Sequence, residues 1–304
     1  MPPRFKDIGD RLKAYRLGAQ LTADDVGKKL GLSRAAVYRI EAGDVVKIET
    51  LEKLAGILDT STASLLGVAM EYYSSAIAYF ERMRQLESTA DQIVAHFPPF
   101  SFLLTSDAYS AHLKTMLFEA QVADEDEASA ANRDIVEIVD ILTERKRTWR
   151  QRRLSVVNFI TIPDIDRFLQ LGAIGRFGLS PDVVEQRRAI ARAEVENVLK
   201  ILLEEPMGIQ IAVVEEPLPN ITFQLFRSAE ATSLALSPFR LGGELPNISA
   251  GVAMLTAAEE PVRLYEKIAD DLWKKAHKGV RAAEALQAAL DRSGVRRKPV
   301  RKAS

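Results

Sequence analysis

Residues 22–43 read TADDVGKKLGLSRAAVYRIEAG, and this stretch decides the fold of the first part of the chain. Thr22 stands where a helix N-cap belongs, and Asp25 follows in the capping-box position. Val26 and Leu30 share one face of the helix that starts there. Gly31 is placed to end that helix as a C′ glycine does. Ser33 caps another helix, with Val37 and Ile40 as its inward positions and Gly43 as its stop. Two helices joined by Gly31-Leu32-Ser33 form a helix-turn-helix, since a turn of three or four residues often needs a glycine. Upstream, Ile8, Leu12, Tyr15 and Arg16 recur at helical spacing and predict a first helix over 7–18. Downstream, a fourth helix over 48–58 turns Leu51, Leu54, Ala55 and Leu58 inward, and a short fifth over 62–66 closes the unit at Gly67.

The residues Leu21-Thr22, Val26-Gly27, Leu30-Gly31-Leu32-Ser33, Val37-Tyr38-Arg39-Ile40-Glu41-Ala42-Gly43, with Leu51, Leu54 and Ala55, resemble the Cro/repressor (XRE) family of helix-turn-helix domains. The match covers roughly the first fifth of the chain. It implies a five-helix, lambda-repressor-like unit whose third helix lies in the major groove of double-stranded DNA. It further implies that Ser33, Arg34, Ala35 and Arg39 face the DNA, with Arg34 reading a guanine through a bidentate fork. Tyr38 would touch a thymine methyl or a phosphate. Thr22, with its helix N-terminus, and Lys47 would hold phosphates. Arg16 and Glu41 pair in this family, which makes them a structural salt bridge and not DNA contacts.

The chain departs from the family pattern in three ways. Ala23 stands where a phosphate-contacting glutamine is common. Gly27 replaces the usual alanine, at a cost on the order of 1 kcal/mol in helix propensity, while keeping the position small. Asp24, Asp25 and Asp44 bring negative charge to the expected DNA face. Residues 1–67 carry 11 Lys/Arg against 9 Asp/Glu. So weak a positive charge makes affinity depend on dimerisation and on the arm Arg4-Phe5-Lys6. The rival reading of this unit is a small helical bundle for protein contact. The coincidence of exposed basic positions with the reading face favours DNA.

Beyond Gly67 the pattern changes twice. Met70, Tyr73, Ile77, Phe80, Met83, Leu86, Ala90, Ile93 and Phe97 are spaced by three or four, which predicts a long linker helix over 68–98, either forming a dimer contact or packed on its own domain, ended by Pro98-Pro99. Residues 99–292 then interleave strands and helices and predict one α/β domain with a mixed sheet. Its strands are read at 100–105, 155–162, 208–215, 221–227, 232–237 and 251–256. Its helices are read at 107–121, 130–154, 164–171, 181–205, 259–278 and 279–292. Residues 293–304 form a basic tail expected to be disordered. The fold class is therefore multidomain: an all-α unit, a linker helix and an α/β domain. Arg147-x-x-Arg150-Gln151 and the stretch 208–214 are loosely similar to the large C-terminal domains behind XRE-type units in bacterial one-component regulators, which implies a sensor or oligomerisation role.

Composition excludes several chemistries. The 304 residues hold 41 Lys/Arg and 42 Asp/Glu, so any nucleic-acid surface is local. With no cysteine, thiol catalysis, disulfides and Cys-based metal sites are absent. The three histidines, His96, His112 and His277, show no i, i+4 pairing, and no metal or cofactor is called for. No apolar run reaches a membrane span, and the N-terminus lacks the apolar core of a signal peptide, so a cytoplasmic location is expected. His112-Leu113-Lys114 with Glu119 is similar to one phospholipase D element, but in single copy and on a helical pattern. The glycine-rich 172–178 reads as a flexible connector. The run Arg145 to Arg153, with Trp149, reads as the solvated end of a helix, its charge complementing the dipole. The sequence reading is a non-enzymatic, homodimeric transcription regulator on a pseudo-palindromic operator, with a small-molecule effector in the α/β domain. An enzyme or a toxin-neutralising protein with an autoregulatory helix-turn-helix is the alternative.

Overall fold

A computed structural model describes residues 5–68, 70–121, 125–218, 222–243 and 245–294. Five helices come first: α1 (Phe5–Gly18), α2 (Ala23–Leu30), α3 (Arg34–Ala42), α4 (Ile48–Ile57) and α5 (Thr62–Leu66). Leu12, Val26, Val37, Leu51 and Leu54 fill the space between them and are almost fully buried. Two close approaches set the geometry. A Cβ on Gly27 would lie 2.6 Å from the Leu32 carbonyl oxygen, and one on Gly9 would lie 2.4 Å from that of Glu41. Gly27 lets α2 meet the turn, and Gly9 lets α1 meet the end of α3. Between them, Gly31 ends α2 in the left-handed region at φ 69°.

The chain continues as β1 (Glu71–Tyr73), α6 (Ala76–Glu87), β2 (Gln92–His96), a short 3-10 turn (Phe102–Leu104), α7 (Tyr109–Ala120), α8 (Glu125–Arg152), β3 (Ser155–Thr161), α9 (Ile162–Leu171) and α10 (Pro181–Glu204). Strands β4 (Ile209–Val214), β5 (Thr222–Arg227), β6 (Thr232–Ser237) and β7 (Ala253–Thr256) follow, then α11 (Glu259–Lys275) and α12 (Gly279–Gly294). The seven strands form one mixed sheet in the order β1-β7-β6-β5-β2-β3-β4. The pairs β2–β3 and β3–β4 are parallel, and the rest are antiparallel. One face packs under α11 through Phe159, Phe223, Leu225 and Trp273. The other face meets α6 and the larger core.

The linker helix expected over 68–98 does not exist. That interval holds β1, α6 and β2, so the sheet takes two strands from before residue 99. The spacing misled because short strands and a helix share the same apolar residues. The hydroxyl side chains mark the breaks: the Ser75 Oγ caps α6 by accepting from the Ala78 N–H, and Ser88 and Thr89 donate back to Gln85 and Leu86 carbonyls at its end. The strand expected at 100–105 is also corrected: Ser101 caps the 3-10 turn there, and its N–H donates to Asn158 Oδ1 at 2.9 Å. A short apolar run does not separate a strand from a buried turn. The basic tail lies outside the described residues from 295 onward, and α12 runs through Gly294.

One continuous core joins the helical unit to the α/β part, from Ile8 and Leu12 through Tyr73, Ile77 and Met83 to Ile160 and Leu286. At the seam sits Glu71. Its carboxylate accepts from Arg11 Nε at 2.5 Å, from the Tyr73 hydroxyl at 2.5 Å and from Arg82 Nε at 3.1 Å. Burial alone would raise the Glu71 carboxyl, but the Arg82 and Arg11 guanidiniums hold it below the usual carboxylate range. Tyr15 stacks on Tyr73 with centroids 4.7 Å apart, and Gln85 Nε2 donates to the Asp10 carbonyl at 2.9 Å. A second buried pair, Arg145 with Glu87, ties α8 to α6.

Two outcomes test this packing. Glu71→Gln leaves two buried guanidiniums short of a counter-charge and should cost about 3–5 kcal/mol in urea unfolding. An unchanged midpoint would contradict the seam. Gly27→Ala should gain about 1 kcal/mol if helix propensity ruled. The Leu32 contact predicts a net loss instead, read in the same unfolding experiment.

Candidate nucleic-acid interface

The turn between α2 and α3 presents one side of α3 to solvent. Ser33, Arg34, Ala35, Tyr38 and Arg39 are all exposed, while Val37 and Glu41 on the same helix are buried. The sequence puts them there by periodicity: the inward residues fix the helix rotation, and the outward ones share the remaining face. The Ser33 side chain caps α3 by accepting from the Ala36 N–H at 3.2 Å, which leaves its hydroxyl proton free to donate outward.

Arg34 and Tyr38 are brought together. Arg34 Nη2 donates to the Tyr38 hydroxyl at 3.2 Å, and the guanidinium lies 5.4 Å from the ring centroid. This i, i+4 contact holds the Arg34 fork away from the backbone on an otherwise open face. Arg39 stands 3.7 Å from Asp44, and Lys28 pairs with Asp24 at 2.6 Å. The acids of this face thus sit beside its cations. Lys47, just before α4, is exposed, and its side chain makes no ion pair or hydrogen bond among the described residues, while its carbonyl accepts from the Thr50 and Leu51 N–H groups.

Thr22 is differently placed from the expectation. Its N–H and hydroxyl donate to Asp25 Oδ2 at 2.9 and 2.6 Å, and its Oγ1 accepts from the Asp25 N–H at 3.1 Å. The capping box is closed, so Thr22 has no proton left for a phosphate. The Asp25 carboxylate, held below its usual range by these hydrogen bonds, occupies the place of an anion.

Behind α3, Arg16 grips Glu41. Nε donates to Oε1 at 2.5 Å, Nη2 to Oε2 at 3.1 Å, and Nη1 to the Leu21 carbonyl at 2.9 Å. One side chain therefore connects α1, the end of α3 and the approach to α2. Both partners are buried. Sequence reasoning missed two apolar neighbours of this face: Val45 and Ile48 flank Lys47 and are 77% and 68% exposed. The signal was Val45, between α3 and α4, and Ile48, at the first position of α4 outside its inward set of Leu51, Leu54 and Ala55.

The other sequence candidates have structural partners. Of the basic run on α8, Lys146 is buried rather than solvated, donating to Thr105 Oγ1 and the Ser106 carbonyl; burial holds its ammonium down to about 8. Trp149 Nε1 donates to the Leu154 carbonyl. Arg145 is likewise buried, whereas Arg147 and Arg150, beside Glu144 and Asp107, and Arg152 and Arg153 are exposed and fit the solvated reading. Glu119, near His112, pairs with Arg187 and accepts from the Gly175 N–H. Residues 172–175 are buried, and a Cβ on Gly175 would lie 2.0 Å from the Met116 carbonyl oxygen, so this part of the glycine-rich loop is packed and not a flexible connector. Among the described residues, no group of three or more His, Cys, Asp or Glu is placed to hold a metal ion, and no helix is long and apolar enough to cross a membrane.

Residues 7–66 match the family model described as a helix-turn-helix domain. No curated protein matches the chain. Among solved structures the chain is similar to TrmBL2, an archaeal chromatin protein described as showing a novel mode of DNA binding, at 12% identity and a TM-score of 0.30. That alignment covers 76% of this chain and 61% of that one, so the chain spans less than two thirds of its length. The first part of this protein is a helix-turn-helix domain, and a mixed α/β region with a seven-stranded sheet follows it.

Proposed function

We propose that the protein is a sequence-specific, non-enzymatic DNA-binding regulator of the XRE type. The observation that carries this reading is the open face of α3. Ser33, Arg34, Ala35, Tyr38 and Arg39 are exposed together on the second helix of a helix-turn-helix. In this role α3 enters the major groove with its N-terminal end toward base edges. Arg34 leaves Tyr38 and donates a fork to guanine O6 and N7. Ala35 meets a thymine methyl. Ser33 and Lys47 donate to phosphates, and Val45 and Ile48 pack against the sugar edge beside Lys47.

The weak positive charge of residues 1–67 argues for two copies acting together. A homodimer on a pseudo-palindromic operator doubles the phosphate contacts available to one unit. The α/β region sets the spacing of the two reading helices, and an effector bound there alters it. The Thr22 phosphate contact is not part of this proposal, because Asp25 already fills that place.

The test uses the intact chain and a duplex enriched from random sequence. Arg34→Ala should weaken binding by about 1–3 kcal/mol and relax discrimination at one base pair per half-site, read by fluorescence anisotropy. Lys47→Ala should weaken all duplexes alike and flatten the salt dependence. An Arg34→Ala protein with unchanged sequence preference would remove α3 from the reading role.

A further inference from the structure

Among the described residues, α11 is the helix that covers the Phe159 and Phe223 face of the sheet. Val262, Tyr265, Ala269, Leu272 and Trp273 turn toward that face. On the outer side, Glu260, Leu264, Ile268, Asp271 and Lys275 follow one another at steps of four, four, three and four. That spacing lays them on one stripe of the helix. All of them are exposed, Leu264 by 47% and Ile268 by 45%. A helix that has already buried one apolar face normally carries polar residues opposite. Two aliphatic side chains one turn apart on the outer side make a second apolar ridge, turned to solvent.

Part of the sheet is left open beside this ridge. The Tyr265 ring lies 5.4 Å, centroid to centroid, from that of Phe223 at one end of β5, and Glu266 reaches Arg227 at the other end at 3.4 Å. The helix therefore crosses the strands, with its Tyr265 flank over the Phe223 end. Leu264 and Ile268 are on that flank. From Phe223 the same face of the sheet runs in register through Leu236 and Met254 to Tyr72. Phe223 is buried, Leu236 and Met254 are half-buried, and Tyr72 is 51% exposed. Cover fades toward the β1 edge, so the ridge has an apolar sheet end for a neighbour. Adjoining exposed apolar groups of this kind mark an interaction surface.

The charges at the two ends of the stripe say what covers it. Glu260 lies in the first turn of α11 and Lys275 in the last. Neither side chain makes an ion pair or hydrogen bond among the described residues, whereas Asp271 is held by Lys274 at 3.3 Å. A second copy of the helix, laid antiparallel across a two-fold axis, brings Leu264 of each copy to Ile268 of the other. It also brings Glu260 of each within reach of Lys275 of the other. A parallel copy would set acid on acid and base on base. The stripe is thus complementary to itself in one orientation, and each contact is made twice, as a two-fold interface requires. We propose that two copies of this chain pair through α11 against α11 in antiparallel order, with the open sheet end flanking the contact. This gives the homodimer of the regulatory reading its surface and rests on that reading.

The test is sedimentation of the intact chain without DNA, so its failure and the failure of the DNA-binding reading are distinguishable. The expected result is a dimer at micromolar concentration that Ile268→Glu dissociates. Glu260→Lys alone and Lys275→Glu alone should each weaken association about tenfold, since each turns two attractions into two repulsions. Mixing these two variants should restore association as a heterodimer, and so should both changes on one chain. A folding defect gives no such rescue. A chain that stays monomeric up to millimolar concentration would overturn the proposal. A dimer that Ile268→Glu leaves intact, or charge reversals without mutual rescue, would overturn it too; selection of a two-fold DNA motif by such a protein would leave α3 in its role and remove α11 from the dimer.

Discussion

The Glu71 carboxylate is the joint on which the arrangement of the molecule depends. It is buried at the edge of the sheet, and it accepts from Arg11 on the first helix of the helix-turn-helix domain and Arg82 on α6. A lone carboxylate at that depth would be driven to its neutral form. Two guanidiniums and the Tyr73 hydroxyl keep it charged and point it in one direction. Such a group is a poor source of net stability but a strong source of geometry, since each displaced partner leaves an unpaired charge behind. The helix α3 is thereby oriented relative to the sheet by α1, α6 and the core they share. A tethered domain on a free linker would have no such constraint.

That constraint explains why α6 is buried on nearly every side. It packs against α1 through Ala78, Arg82 and Gln85, against α8 through Glu87 and Arg145, and against the sheet and an aromatic cavity through Tyr79, Phe80 and Met83. A helix with three partners loses the single apolar stripe of a surface helix. It touches both the helical unit and the aromatic cavity, as α8 does through Asp134 on Gln20 and through Arg145. Any change in its position is felt on both sides, because packed interiors transmit displacement instead of absorbing it.

The helix-turn-helix was legible in the sequence because local rules specify it. Thr22, Ser33, Gly31 and Gly43 mark the ends of α2 and α3, and Val26 and Val37 set their rotation. The strands at 155–161, 209–214 and 232–237 were legible for the same reason, being apolar runs bounded by turns. What escaped depends on distant partners. Nothing local says that Glu71 meets Arg11 and Arg82, or that Arg145 meets Glu87. The periodicity over 68–98 was real, but a three-residue strand, a helix and a five-residue strand reproduced it, and only pairing with β7, β3 and β5 separates them. The exposure of Ser33, Arg34, Ala35, Tyr38, Arg39 and Lys47 was legible residue by residue, and at Thr22 the capping box uses the donors that the sequence assigned to phosphate. Val45 and Ile48 were passed over because exposure is a tertiary property.

The central claim is that the exposed face of α3, held by α1 and the Glu71 joint, reads DNA. Selection of duplexes from a random pool by the intact chain, followed by sequencing, tests it most directly. The account predicts a two-fold-symmetric motif with half-sites about 10 bp apart. Enrichment of no motif by folded protein at low salt would contradict it.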